Sequence, residues 1–187
     1  MTALEQWDRA RLAECIGEVL DVYAEAMGVP RSAARSRRSV MQRHLDRDGL
    51  RTVAAVDDGR LVGIAYGYLG APGQWWHDQV RAALTPMQAR EWLDGAFEVC
   101  ELHVRPALHG TGLGRTLLDR LLASTAASTS VLTTPDDETR ARRFYRIGGW
   151  VDLVLGLTFP GDPRSFAVLG RRLEPGRLPS THLESSP

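Results

Sequence analysis

The sequence predicts one α/β domain, on three observations: β-rich runs alternate with segments of helical periodicity, a hairpin pattern lies near each end, and a central strand runs into a glycine-spaced turn that opens a helix. Length and composition agree. A chain of 187 residues, 43% hydrophobic and 25% charged, has apolar surface enough to fold without a disulfide or metal staple. The domain is expected to span residues 1–172, with 173–187, which hold several Pro and Ser, as a flexible tail.

Taken in order, Leu12, Cys15, Ile16, Val19, Leu20 and Tyr23 recur at three- and four-residue spacing and predict an amphipathic helix stopped by Gly28 and Pro30. A second helix is predicted from Arg31 to about Arg47, with Val40, Met41 and Leu45 on its apolar side. Arg35, Arg37, Arg38 and Arg43 decorate the rest, as a solvated face or as an acceptor-binding one. Thr52–Val56 and Leu61–Leu69 then form a hairpin about the turn Asp57, Asp58, Gly59, and Gly63 and Gly67 mark a bulge or a close backbone approach. The stretch 70–96 reads as a helical insertion carrying Trp75, Trp76, Trp92 and a Thr85, Pro86 helix start.

Phe97–Val104 is the central strand, followed by a turn at His109–Gly114 and a helix whose buried stripe is Leu113, Leu117, Leu118, Leu121 and Leu122. A short strand, Val131–Thr133, precedes a helix that Thr134 can cap, with Pro135 in its first position and Asp136, Asp137 and Glu138 in its first turn, ending at Gly148 and Gly149. Trp150–Phe159 and Ser165–Leu169 make a closing hairpin.

Composition narrows the function. All 23 basic residues are arginine, so chemistries that need a lysine at the reacting centre, such as Schiff bases and P-loop hydrolysis, are excluded. Zero formal net charge gives no global field for nucleic acid. Cys15 and Cys100 read as reduced thiols, with no ligand cluster for a metal, and neither a signal segment nor a membrane span is evident, which predicts a cytoplasmic protein.

The stretch ELHVRPALHGTGLGRTLLDRLL places a strand, a glycine-rich turn and a helix N-terminus in succession, where outward backbone N–H groups and the helix dipole make a phosphate site. Arg115 stands where a dinucleotide fingerprint needs a third glycine. His109, Gly112 and Gly114, with Val104 and Pro106 upstream, resemble motif A of the GNAT superfamily of N-acetyltransferases, His109 replacing the usual Arg or Gln. About thirty residues on, ARRFYRIGGW is similar to motif B through Ala141, Phe144, Tyr145, Gly149 and Trp150.

This resemblance, covering about residues 51–171, implies a mixed, mostly antiparallel sheet splayed between its middle strands, with helices on both faces. It implies acetyl-CoA as cosubstrate, without a metal, and transfer to an amine. The pantetheine arm would lie along Leu102, His103 and Val104, and the pyrophosphate on His109, Gly110, Thr111, Gly112, Leu113, Gly114 and Arg115. Glu138 stands where many relatives have a coenzyme-contacting asparagine. Tyr145 would touch the coenzyme and protonate the departing thiolate, since a phenol is protonated at neutral pH.

For the base, strand alternation predicts Glu98 and Glu101 on opposite faces, unless a bulge reverses them. Glu101, with Val99 and His103, is placed nearer the acceptor; Glu98 falls with Cys100, Leu102 and Val104. His103 is a further base candidate, and Cys100 could carry an acetyl group, although direct transfer through a ternary complex is the expectation. Trp75, Trp76 and Trp92 either line the acceptor pocket or glue the insertion to the sheet. The expected partner is a small-molecule amine, with no nucleic acid and no membrane, and the chain a monomer or homodimer. The alternatives are a protein or peptide acetyltransferase and a catalytically silent CoA-binding module.

Overall fold

The computed structural model describes residues 1–174, so the tail expected from 173 onward lies, past Glu174, outside the described residues. Seven strands form one sheet: β1 (Ala3–Trp7), β2 (Arg51–Asp57), β3 (Arg60–Leu69), β4 (Phe97–Val104), β5 (Thr129–Pro135), β6 (Val151–Phe159) and β7 (Asp162–Arg172). Their order is β1-β2-β3-β4-β5-β7-β6, and every neighbouring pair is antiparallel except β4 with β5. Among the described residues lie eight α-helices, α1 (Arg9–Glu14), α2 (Ile16–Met27), α3 (Arg31–Arg35), α4 (Arg38–His44), α5 (Trp75–Ala83), α6 (Pro86–Trp92), α7 (Leu113–Ala123) and α8 (Arg140–Ile147), and a 3-10 turn at Pro106–Leu108.

Strand alternation divides the core in two. Val53, Ala55 and Leu132 point to one face and pack with Leu117, Leu118, Leu121 and Leu122 of α7, and Phe144 and Tyr145 of α8 join them. Ala54, Ile64 and Tyr66 point to the other face, under Ile16, Val19 and Leu20 of α2 and Met41 of α4. Further along that second face, Val80, Ala89 and Leu93 of α5 and α6 cover Val131 and Val168. Each fully buried leucine of α7 is worth about 1.5 to 3 kcal/mol, so the apolar stripe, and not helix propensity, holds α7 in place.

Three elements depart from the sequence expectation. The helix expected over 31–47 divides at Ser36 and Arg37 into α3 and α4. Thr134 and Pro135 do not open a helix; they end β5, where β7 supplies partners as far as Pro135↔Phe166. Tertiary pairing overrides the local cap signal there, and α8 starts later, with Thr139 Oγ1 accepting from the Arg142 amide at 3.1 Å. The third is β1, an edge strand of five residues with Trp7 alone buried, too short for a periodic signal.

Two irregularities of β4 matter most. It pairs with β5 only through Phe97↔Ser130 and Glu98↔Val131, with no further pair among the described residues, so the sheet splays beyond Glu98. On its other side the register jumps from Tyr66↔Glu101 to Gly67↔Val99, which makes Cys100 the extra residue of a β-bulge. Gly67 sits opposite the bulge because a Cβ there would lie 2.1 Å from the Glu98 carbonyl oxygen and 2.6 Å from the Phe97 ring.

Gly67→Ala is therefore expected to destabilise the protein by about 2 to 3 kcal/mol through overpacking, read as a lower urea midpoint. An unchanged midpoint would mean that the bulge yields to a side chain.

Candidate active site

The bulge decides which side chains meet. Regular alternation would separate Glu98 from Glu101, but the extra residue brings both, with His103, to the face of α2 and α4. The expectation that Glu98 shares a face with Leu102 and Val104 is thereby corrected: those two, with Val99, pack toward α7, whereas Cys100 packs with the cluster under α2. His103 meets the Tyr23 ring of α2 edge-on at 5.1 Å.

The two carboxyls have opposite surroundings. Arg37, at the break between α3 and α4, donates to Glu101 Oε1, and His103 Nε2 donates to Oε2. Burial would raise the Glu101 pKa, yet His103 and Arg37 together hold it below the usual carboxylate range. Glu98 has no such company: it is 6% exposed and its Oε2 has no hydrogen-bond partner. Burial pushes its pKa up to about 8, against smaller lowering by Tyr68, Cys100 and Arg47. Burial likewise pushes the Cys100 thiol well above its ordinary value, which disfavours the nucleophilic thiolate. Tyr145 packs edge-on to Phe144 and Trp150, and burial, then the charge of Glu101, raises its phenol pKa.

Glu98, but not Glu101, borders a cavity of about 440 Å³ between α4 and α5. Its walls include Glu98 and Cys100 of β4, Tyr68 of β3, Arg43 and His44 of α4, Gln74, and Trp75 and Trp76 of α5. Trp76 Nε1 donates to Thr133 Oγ1 at 3.3 Å, pinning α5 across the splay to β5. Trp75 leans on Phe159 and remains 56% exposed at the rim. Trp92 does not line this cavity; it lies beneath the Arg172 guanidinium and against Gly170. Sequence reasoning missed Tyr68, His44, Gln74 and Arg47. Arg47 entered that reasoning only as the approximate end of the second helix.

Beyond the C-terminal end of β4 lies the glycine-spaced turn at His109–Gly114. The Arg105 amide donates to Val62 of β3 at 2.9 Å, so alternation turns the amides of Leu102 and Val104 the other way, toward the gap beside β5. His109 folds back and donates from Nε2 to the Val104 carbonyl at 2.8 Å, tying the turn to the end of the strand. Gly110 and Gly112 have φ of 84° and 87°, a region that side chains rarely adopt. Gly112 begins α7 with no side-chain cap, which leaves first-turn amides such as those of Gly114 and Arg115 without helical acceptors. Thr111 donates to the Leu108 carbonyl, and Leu113 is half-buried against the α7 core. Arg140 of α8 reaches over Gly110, while Glu138 is exposed and paired with Arg146 at 2.8 Å. Uncapped amides, positive-φ glycines and an arginine fit a diphosphate.

The geometry agrees with what the chain resembles. It matches the acetyltransferase (GNAT) family over residues 16–149. It is 36% identical to the GCN5-like protein acetyltransferase Rv2170 of Mycobacterium tuberculosis, over 84% of this chain and 91% of that one. In fold it is similar to the PaiA N-acetyltransferase of Thermoplasma acidophilum, solved with coenzyme A, at a TM-score of 0.61 and 12% identity, covering 92% of this chain and 99% of that one. It is also similar to an acetyltransferase of Thermus thermophilus, at a TM-score of 0.61 and 17% identity, covering 92% and 97%. A match over most of its length and a relative above a third identical place this chain in the GNAT family of acetyltransferases, enzymes of the acyltransferase class.

Proposed function

We propose that this enzyme moves acetyl from acetyl-CoA directly to the amine of a small acceptor seated in the cavity between α4 and α5. The observation that carries this reading is Glu98: a buried carboxyl, one oxygen without a partner, bordering a cavity at the point where β4 leaves β5. A cavity of about 440 Å³ has the size of a small-molecule pocket. The coenzyme brings the acetyl group as a thioester. Amides of Leu102 and Val104 hold its arm, and the turn from His109 to Arg115 holds its diphosphate.

Glu98 is the base in this reading, since an acceptor amine must lose a proton and a carboxyl near pKa 8 is matched to that task. Glu101, engaged at both oxygens, positions Arg37 and His103 instead. Tyr145 gives its proton to the sulfur as the carbon–sulfur bond breaks, while the new carbon–nitrogen bond forms. A raised phenol pKa keeps that proton available. The unreactive setting of Cys100 supports transfer without an acetylated enzyme.

A second reading, acetylation of a protein or peptide amine, is favoured by the name of the Mycobacterium tuberculosis relative. Thiol release measured with acetyl-CoA against small amines and against lysine-containing peptides separates the two. Turnover confined to peptides would overturn the small-acceptor reading.

Three outcomes are expected. Gly112→Trp should abolish coenzyme binding by calorimetry, because its φ of 87° disfavours a side chain and the indole would block the turn. Tyr145→Phe should lower kcat at least about tenfold with little change in KM for acetyl-CoA. For Glu98, the folded chain keeps its proton up to about pH 8, whereas an unfolded carboxyl releases it near 4.5. The stability tied to that proton is full below the lower value and lost as pH rises through the upper one. Glu98→Gln should thus gain stability over wild type by about 2 kcal/mol or more between about pH 5 and about pH 8. Parallel urea melts that show no pH-dependent difference would place Glu98 in a wetter site.

A further inference from the structure

The cavity between α4 and α5 holds unmatched polar atoms of both kinds. Glu98 Oε2 and Gln74 Oε1 are buried hydrogen-bond acceptors without donors, and Arg37 Nε and Arg47 Nε are buried donors without acceptors. All four residues line the same cavity. A buried polar atom left unmatched is destabilising, so four around one space point to a ligand that brings groups of both signs.

The cations are distributed unevenly. Arg37 already neutralises Glu101 and lies over the Tyr23 ring at 4.8 Å. Arg43 and Arg47 form no ion pair among the described residues, and Arg47 lies 5.9 Å over the Tyr68 ring, at the cavity wall. His44, between them in sequence, bonds through Nδ1 to the Tyr66 hydroxyl at 3.1 Å. Burial foremost, then Arg47, Arg37 and Arg43 acting against Glu101, holds His44 near 4 and therefore neutral. The α4 side thus offers two uncompensated guanidinium groups, Arg43 on the helix and Arg47 just beyond it, while the β4 floor offers a carboxyl and the start of α5 an amide oxygen. A plain alkylamine or a polyamine would leave the guanidinium groups unmatched and would bring its positive charge against them.

We propose that the acceptor is a small amine bearing an anionic group, carboxylate or phosphate, at its other end, the amine directed to Glu98 and the anion to Arg43 and Arg47. Guanidinium forks suit either anion. The inference rests on the cavity being the acceptor site, and it is tested by binding, which needs no turnover.

Calorimetry on the full chain with CoA present would compare γ-aminobutyrate with butylamine and phosphoethanolamine with ethylamine. In at least one pair the anionic amine should bind at least about tenfold tighter, the scale of one charge-assisted hydrogen bond. The pair with the larger ratio identifies the anion. Arg47→Gln should bring that ratio to within about threefold of unity, and the exposed Arg43→Gln, should Arg47→Gln fold poorly, should reduce it in the same direction. Equal or tighter binding of the neutral-tailed amines, or no binding of any of the four, overturns the inference. A loss of acetyl-CoA binding or of thiol release with every amine would instead count against acetyl transfer, and the binding ratios would still read the cavity.

Discussion

β4 is gripped along one edge and released along the other. Its ladder with β3 runs from Phe97 to Val104, whereas its ladder with β5 ends at Glu98. An open edge in the middle of a sheet is normally a liability, since unpaired amides and carbonyls demand partners. Here helices close over both faces, so the opened groove becomes a sheltered slot in place of a site for aggregation. The turn at His109–Gly114 lies beyond the end of that strand because β4 leads straight into it, and the Nε2 of His109 fastens the turn to Val104. The cavity under α4 and α5 begins where the splay begins. Nearly every feature of the site follows from where one strand parts from its neighbour.

The bulge at Cys100 adds the chemical half. Because one surplus residue puts Glu98 and Glu101 on a common face, the protein holds two carboxyls close together and tunes them apart. Glu101 is neutralised by two donors and serves as a fixed anchor. Glu98 keeps one oxygen unpartnered at the edge of the cavity, at a cost in stability. Similar environments have been the means by which one fold keeps an acid and a base side by side.

Much of this arrangement was legible in the chain. The limits of β4, the leucine stripe of α7, both hairpins and the paired glycine and aromatic motifs could be read directly, because periodicity and turn chemistry act over short distances. The bulge could only be suspected, since Gly67 announces a close approach without saying what approaches it. The start of α8 was misplaced because Thr134 and Pro135 satisfy the local rules for a helix start while β7 offers them a better bond. Arg37 looked like one more solvated arginine; its pairing with Glu101 joins positions 64 residues apart, a distance over which no local rule operates.

The roof of the cavity is built separately from its floor. α5 and α6 rest on β5, β6 and β7 through their own apolar cluster, and Trp76 crosses to Thr133 by a single hydrogen bond. None of those contacts touches the turn at His109–Gly114 or the bulge at Cys100. A lineage could therefore reshape this two-helix cap while leaving β4, its bulge and the glycine-spaced turn unaltered, so that change on one side of the cavity need not disturb the other.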